Sequence, residues 1–297
     1  QEYLHVLDLI IHDTERLLAE GGDLYFLMEY AREAPFAQQP SRSLFIDGEL
    51  AAMIAARRFV EERTFSKTLN ERVDLIVERM SQSPVLCCES YPNECWMFCN
   101  AVALAAVKMN DVLDGRDHSA FLKAWVTSAR ERLTDPKTGL LVSSFTYQGH
   151  AMDGPEGSTL WMTAHALQVV DEDFAKSQYD GARRALQGSC LGFAWAREWP
   201  ETWRGPMDVD SGPVIPVFEI SAGSSGLAFV GAAAFGDESY YKQLAATLRF
   251  SAFPYERRGE LKFCASNQVG DAVLLYSTVL GPLWEEVRRR EHAGGGN

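Results

Sequence analysis

Between Ser83 and Asn100 runs SPVLCCESYPNECWMFCN, which holds four of the six cysteines of the chain. Cys88 is followed by Glu89 and Cys99 by Asn100, so a thiol stands near each end of a short apolar, aromatic segment with carboxylates close by. If Cys88 and Cys99 face one cavity, they suit proton transfer or covalent addition, because a thiol can release a proton and a thiolate can add to carbon. The bland reading is two small buried hydrophobes, since free cysteine is among the most buried residue types. Cys87, Cys88, Cys95 and Cys99 could also be counted as four zinc ligands, but the paired C-x2-C knuckles of structural sites are missing, and no metal is expected.

Several other groups could share such a site. Glu89 sits in an apolar context, where desolvation would raise a carboxyl group towards general-acid values; otherwise it is a helix cap or half of an ion pair. Glu49 begins a helix, a place acids favour for the dipole alone. Asp208, Asp210 and Glu219 resemble the paired carboxylates of carbohydrate chemistry, or else an Asx-rich loop that orders its own backbone. Trp96, Phe98, Phe145, Trp161, Trp199 and Trp203 could shape an apolar pocket or stabilise a developing cation, or simply fill the core. His165, on a helix one turn after Trp161, reads as a core or groove residue, and His150 is ambiguous. No phosphate-binding glycine loop, Ser-His-Asp order or H-E-x-x-H run is present, which disfavours nucleotide, hydrolase and metalloprotease chemistry.

The elements that must position these groups are helical almost throughout. Apolar residues recur at three- and four-residue steps over 3–18, 44–60, 101–112, 119–133, 159–170, 174–186, 225–234, 240–248 and 271–287. Tight joints such as Leu113-Asp114-Gly115, Asp135-Pro136-Lys137-Thr138-Gly139 and Phe235-Gly236-Asp237 separate them. Residues 140–146 and 260–264 read as short strands, and Gly223-Ser-Ser-Gly226 as a helix-entry turn. Helical hairpins of similar length laid side by side imply an all-α fold, an (α/α)6 barrel or toroid with a central pocket. The long loops 83–100 and 197–223 are expected at one mouth of it. Residues 1–292 form a single domain on this reading, and 293–297 a flexible tail.

The chain has 297 residues, 46% of them hydrophobic and 23% charged, enough to bury a large core. A formal net charge of -13 would be repelled by nucleic acid or an anionic membrane surface. The partner expected is a small, largely apolar molecule. No apolar run spans a membrane, no signal peptide precedes Gln1, and the clustering of the cysteines suggests reduced thiols, so the cytoplasm is the expected compartment.

At the cysteine loop, Cys88-Glu89, Pro92-Asn93, Trp96 and Cys99-Asn100 resemble, in order and identity, the corresponding motif of the linalool dehydratase-isomerase family. Gly48-Glu49-Leu50 resembles its Gly-His-Leu helix start, Leu133 to Gly139 its Asp-Pro turn, Asp208-Val209-Asp210-Ser211-Gly212 its acidic loop, and Gly270-Asp271 to Trp284 its closing helix. The collinear likeness runs from about Leu44 to the C-terminus. It implies an α/α-barrel enzyme that dehydrates, isomerises or cyclises an alkenol or terpenoid-like molecule without a cofactor, as a homo-oligomer. The implied catalytic residues are Cys88, Cys99, Glu89 and Glu49, with Phe45, Asp47, Asn93, Trp96, Asn100, Phe145, Trp161, Asp208 and Asp210 about the substrate. Glu49 stands where the family has a histidine and Phe145 where it has a tyrosine. Two competing expectations are a sugar epimerase or glycoside-processing enzyme built on Asp208, Asp210 and Glu219, and a non-catalytic ligand-binding protein on the same ring.

Overall fold

The computed structural model describes residues 2–22, 25–27, 29, 34–207 and 214–294. Eleven helices are found among them: α1 (Glu2–Gly21), α2 (Leu44–Val60), α3 (Ser66–Ser81), α4 (Met97–Asp114), α5 (Ser119–Arg132), α6 (Gly157–Leu167), α7 (Glu172–Leu186), α8 (Ala222–Ala234), α9 (Glu238–Ser251), α10 (Gln268–Ser277) and α11 (Gly281–Gly294). Four small two-stranded antiparallel sheets join them: β1 (Cys95–Trp96) with β2 (Ser144–Phe145), β3 (Gln187–Cys190) with β4 (Phe193–Ala196), β5 (Val214–Ile215) with β6 (Ile220–Ser221), and β7 (Pro254–Arg257) with β8 (Glu260–Phe263). The fold is predominantly helical, as the periodicity predicts.

Helices α2, α4, α6, α8 and α10 pack each on the next, while α3, α7 and α9 lie against α2, α6 and α8. Of this series α4 has the largest number of buried residues. In α4, MFCNAVALAAVKMNDVLD, thirteen of eighteen positions are buried, which is how a helix surrounded by others reads. Small residues let its neighbour come close. A Cβ added to Gly48 of α2 would lie 3.2 Å from the Cβ of Ala103 and 3.3 Å from the carbonyl oxygen of Cys99.

Helix α3 escapes the apolar pattern because its buried face, Leu69, Arg72, Val73, Ile76, Arg79 and Met80, includes two arginines. The single helix expected over 271–287 is two, with Gly281 and Pro282 opening the second, as proline in a first helical turn allows. The Gly223–Gly226 segment lies inside α8, whose cap is Ser221; its hydroxyl accepts from the Ser224 N–H at 3.0 Å. Helix α11 packs on α4 and reaches α6. Its Trp284 stacks on His165 with ring centroids 5.0 Å apart and donates to the His165 carbonyl at 2.8 Å. No helix of the described residues is long and apolar enough to cross a membrane.

Candidate active site

The loop that carries the cysteines is zipped to the loop after α5. Strand β1 sets Cys95 opposite Phe145 and Trp96 opposite Ser144. The next residue, Met97, begins α4 and donates its N–H to the Ser143 carbonyl at 2.9 Å. Beneath this zipper the Asp-Pro turn closes on itself. Asp135 accepts from the backbone and hydroxyl of Thr138 at 2.9 and 2.7 Å, and Gly139 takes the left-handed φ of 70° that ends the turn.

Asn100 ties the start of α4 to Cys88. Its Oδ1 accepts from the Cys88 N–H at 3.0 Å, and its Nδ2 donates to the carbonyls of Cys88 at 3.2 Å and Trp96 at 2.9 Å. All its amide groups are therefore committed to backbone. Cys88 is fully buried, and loss of hydration pushes its thiol up to about 12 even though the Arg79 charge opposes the shift. Cys99 lies in the first turn of α4 and keeps 5% of its surface exposed. Burial also lifts it to about 12, the Glu49 charge adds to the rise, and the Ser90 hydroxyl works against it. Both thiols are thus neutral at ordinary pH. Cys87 and Cys95 pair with each other, Sγ to Sγ 3.5 Å, and the bond to Cys87 followed by burial raises the Cys95 thiol.

Glu49 occupies the facing turn of α2, next to Gly48 at the closest approach of α2 to α4. Desolvation raises its carboxyl group to about 7, and no other cause contributes. Its charge acts on Cys99 of α4 and on the phenol of Tyr276 of α10, which burial and Glu49 together raise to about 12.

The neighbouring acids are used otherwise. Glu89, which the sequence reads as a general acid, a helix cap or half of an ion pair, accepts from three backbone N–H groups: Ala37 at 3.0 Å, Gln38 at 2.8 Å and Asn93 at 2.7 Å. It ties the 37–38 segment to the cysteine loop. Asp47, fully buried, forms ion pairs with Arg42, Arg72 and Arg79. Asn93 is an exposed turn residue with φ of 64°. Phe45 stacks on Tyr91 with centroids 6.1 Å apart, and half-buried Trp96 donates to Glu94 at 3.2 Å. Trp161 is a core residue between α6 and α8, its indole N–H donating to Ser224 at 3.1 Å and its ring against Tyr179 and Tyr240. Phe145 is fully buried in β2, opposite Cys95 of β1. Asp208 and Asp210 lie outside the described residues, while Glu219 pairs with Arg197 at 3.0 Å.

Sequence reasoning singled out His165 but not its partner. The His165 Nε2 and the Tyr276 hydroxyl are 2.8 Å apart. No sequence signal links two residues 111 positions apart; only the packing of α10 beside α6 and α8 brings them together.

The model of the family described as linalool dehydratase/isomerase matches residues 52–269. The chain belongs to this family. The match covers Cys88, Glu89, Cys99, Asn100 and Phe145, and it stops short of Glu49 on one side and Tyr276 on the other. No curated protein matches the chain. Membership supports an enzyme of the dehydratase/isomerase kind acting on a small molecule.

Proposed function

We propose that this protein is a cofactor-independent lyase or isomerase acting on an alkenol of the linalool type, and that Glu49 carries the mobile proton of the reaction. The observation that carries the reading is a desolvated carboxyl group, poised near neutrality, acting on the Cys99 thiol across the α2–α4 contact. A group whose affinity for protons matches the working pH serves best as a general acid or base. In a dehydration, the acid protonates the hydroxyl oxygen of the substrate, the C–O bond breaks and water leaves. A base takes a proton from the adjacent carbon, and that C–H electron pair becomes the new double bond. Returning the proton from base to acid closes the cycle without a cofactor.

In our reading the neutral Cys99 thiol is the acid that protonates the hydroxyl, and the Glu49 carboxylate is the base that takes the proton from the adjacent carbon and returns it to the sulfur. Cys88, whose backbone is held by Asn100, bounds the reacting carbon in this reading. Glu89 is a positioning residue that fixes the loop through its three backbone bonds. In this reading α2, α4, α6, α8 and α10, each packed on the next, form one wall of an α/α ring.

Linalool, assayed for formation of a diene or an isomeric alcohol, tests the reading. Cys88→Ala, Cys99→Ala and Glu49→Gln should each lower turnover about 100-fold or more, with helical circular dichroism unchanged. Full activity in Cys99→Ala or Glu49→Gln would overturn the assignment.

A further inference from the structure

Cys88 lies in a stretch with neither helix nor strand, yet the four backbone groups nearest its side chain all have partners. Asn100 takes the N–H and the carbonyl of Cys88 itself, at 3.0 and 3.2 Å. Gln38, in the segment that leads into α2, takes the two groups that flank them. Its Oε1 accepts from the Glu89 N–H at 3.2 Å, and its Nε2 donates to the Cys87 carbonyl at 3.3 Å. In extended backbone the N–H and C=O of one residue face one edge and those of its neighbours face the other. The Cys87–Glu89 backbone is bonded in that pattern, with one side-chain amide in place of each neighbouring strand.

Both amides are anchored elsewhere. Gln38 Nε2 also donates to the Arg79 carbonyl at 2.8 Å, in the last turn of α3, and the Gln38 backbone N–H donates to the Glu89 carboxylate at 2.8 Å. Asn100 is fixed in α4 and donates to the Trp96 carbonyl at 2.9 Å. The Gln38 side chain is 2% exposed, and its oxygen and both amide protons are used. Gln38 lies ahead of the residues 52–269 that match the family.

The arrangement has a geometric consequence. The carbonyl of Cys87 and the N–H of Cys88 belong to one planar peptide unit, and the carbonyl of Cys88 and the N–H of Glu89 to the next. Each unit is therefore held at both ends, by Gln38 at one and Asn100 at the other. Rotation of these two units is all that can re-aim the Cys88 side chain from its Cα. With Asn100 alone, each unit would pivot about a single hydrogen bond. We propose that Gln38 is a positioning residue of the active site, which with Asn100 clamps both peptide units about Cys88 and so fixes where its thiol stands. This rests on the reading that Cys88 bounds the reacting carbon, and deepens it.

Labelling of the folded protein with iodoacetamide, read cysteine by cysteine by mass spectrometry, needs no substrate. Cys88 and Cys95 are both fully buried, so each reacts only as its surroundings open. Gln38→Met should raise the labelling rate of Cys88 about 10-fold or more and that of Cys95 less than about 2-fold. An unchanged Cys88 rate, or an equal rise at both, would overturn the clamp. Turnover of linalool then tests the positioning role. Gln38→Met should lower kcat about 10- to 100-fold with KM within about 2-fold of wild type. In a Cys88→Ala background the same substitution should cost less than about 2-fold further, because its effect passes through the thiol. Losses that multiply would place the role of Gln38 outside Cys88 and defeat the proposal. Gln38→Glu keeps an acceptor for the Glu89 N–H and loses the donors; it serves in both measurements, with the same directions expected, where Gln38→Met does not fold. A wild-type protein that turns over no alkenol, in which Gln38→Met still frees Cys88, would sink the lyase reading and leave the clamp standing.

Discussion

At the scale of single residues, burial decides which ionisable groups remain available for chemistry. Asp47, Glu89 and Glu49 are all carboxylates set near the cysteine loop, but the first is surrounded by three arginines and the second by three backbone N–H groups. Glu49 has neither, so desolvation alone sets its behaviour. A carboxyl group raised from its usual range to about 7 makes the folded state bind more protons than the unfolded chain between about pH 4.5 and 7. Folding stability from this residue is therefore present in acid and lost as pH rises through 7. Glu49→Gln should have little effect on stability at pH 4.5 and stabilise the protein by about 1–3 kcal/mol at pH 8. Denaturant unfolding at the two pH values checks this; equal changes at both would show that Glu49 is solvated.

At the scale of elements, close approach of helices is what aligns the site. Gly157 heads α6 and donates its N–H to the Glu198 carbonyl at 2.7 Å. A Cβ there would fall 1.9 Å from Ser224 Oγ and 2.7 Å from the Arg197 carbonyl oxygen, so an alanine must push α6 away from α8. Gly157→Ala should cost about 2–4 kcal/mol and break the Trp161 to Ser224 hydrogen bond. Urea denaturation with tryptophan fluorescence follows both effects. The periodic apolar face of α2 and the nearly all-apolar α4 are legible in the sequence, since each packs on helices through ordinary hydrophobes. The face of α3 is not, because its buried arginines serve Asp47 and Glu15, acids on α2 and α1 that no local pattern connects to it.

At the scale of the whole molecule, the two ends of the chain are attached in different ways. Helix α11 is held by Trp284 on His165 and by Arg290 over the Phe59 ring of α2, and so links α6 to α2. Helix α1 buries only Ile11 and is held largely by charge, Asp8 to Arg57 at 2.6 Å and Glu15 to Arg72 at 2.5 Å. Its Tyr3, Val6, Leu9 and Ile10 stay exposed. The double variant Asp8→Asn, Glu15→Gln should raise hydrogen exchange of α1 amides about 10-fold or more while α4 and α6 keep their protection. Unchanged exchange in α1 would mean that apolar contacts alone hold it.

The sequence by itself determined the helical class, the extents of α2, α5 and α7, the Asp-Pro turn, the cysteine loop and the family to which the chain belongs. These are properties of local spacing and of motifs in order, which survive without knowledge of the fold. Only the tertiary structure decided which members of those motifs remain free. Asn100, Glu89 and Asp47 are consumed in holding backbone and arginines, Trp161 in the core, and Cys87 with Cys95 in each other. Gly48, next to Glu49, lets α2 close on the backbone of Cys99 in α4, and the hydrogen bond between His165 and Tyr276 joins α6 to α10. Whether a carboxyl, thiol or phenol is available depends on its desolvation and on the partners that packing supplies, and both arise from contacts between residues far apart in the chain.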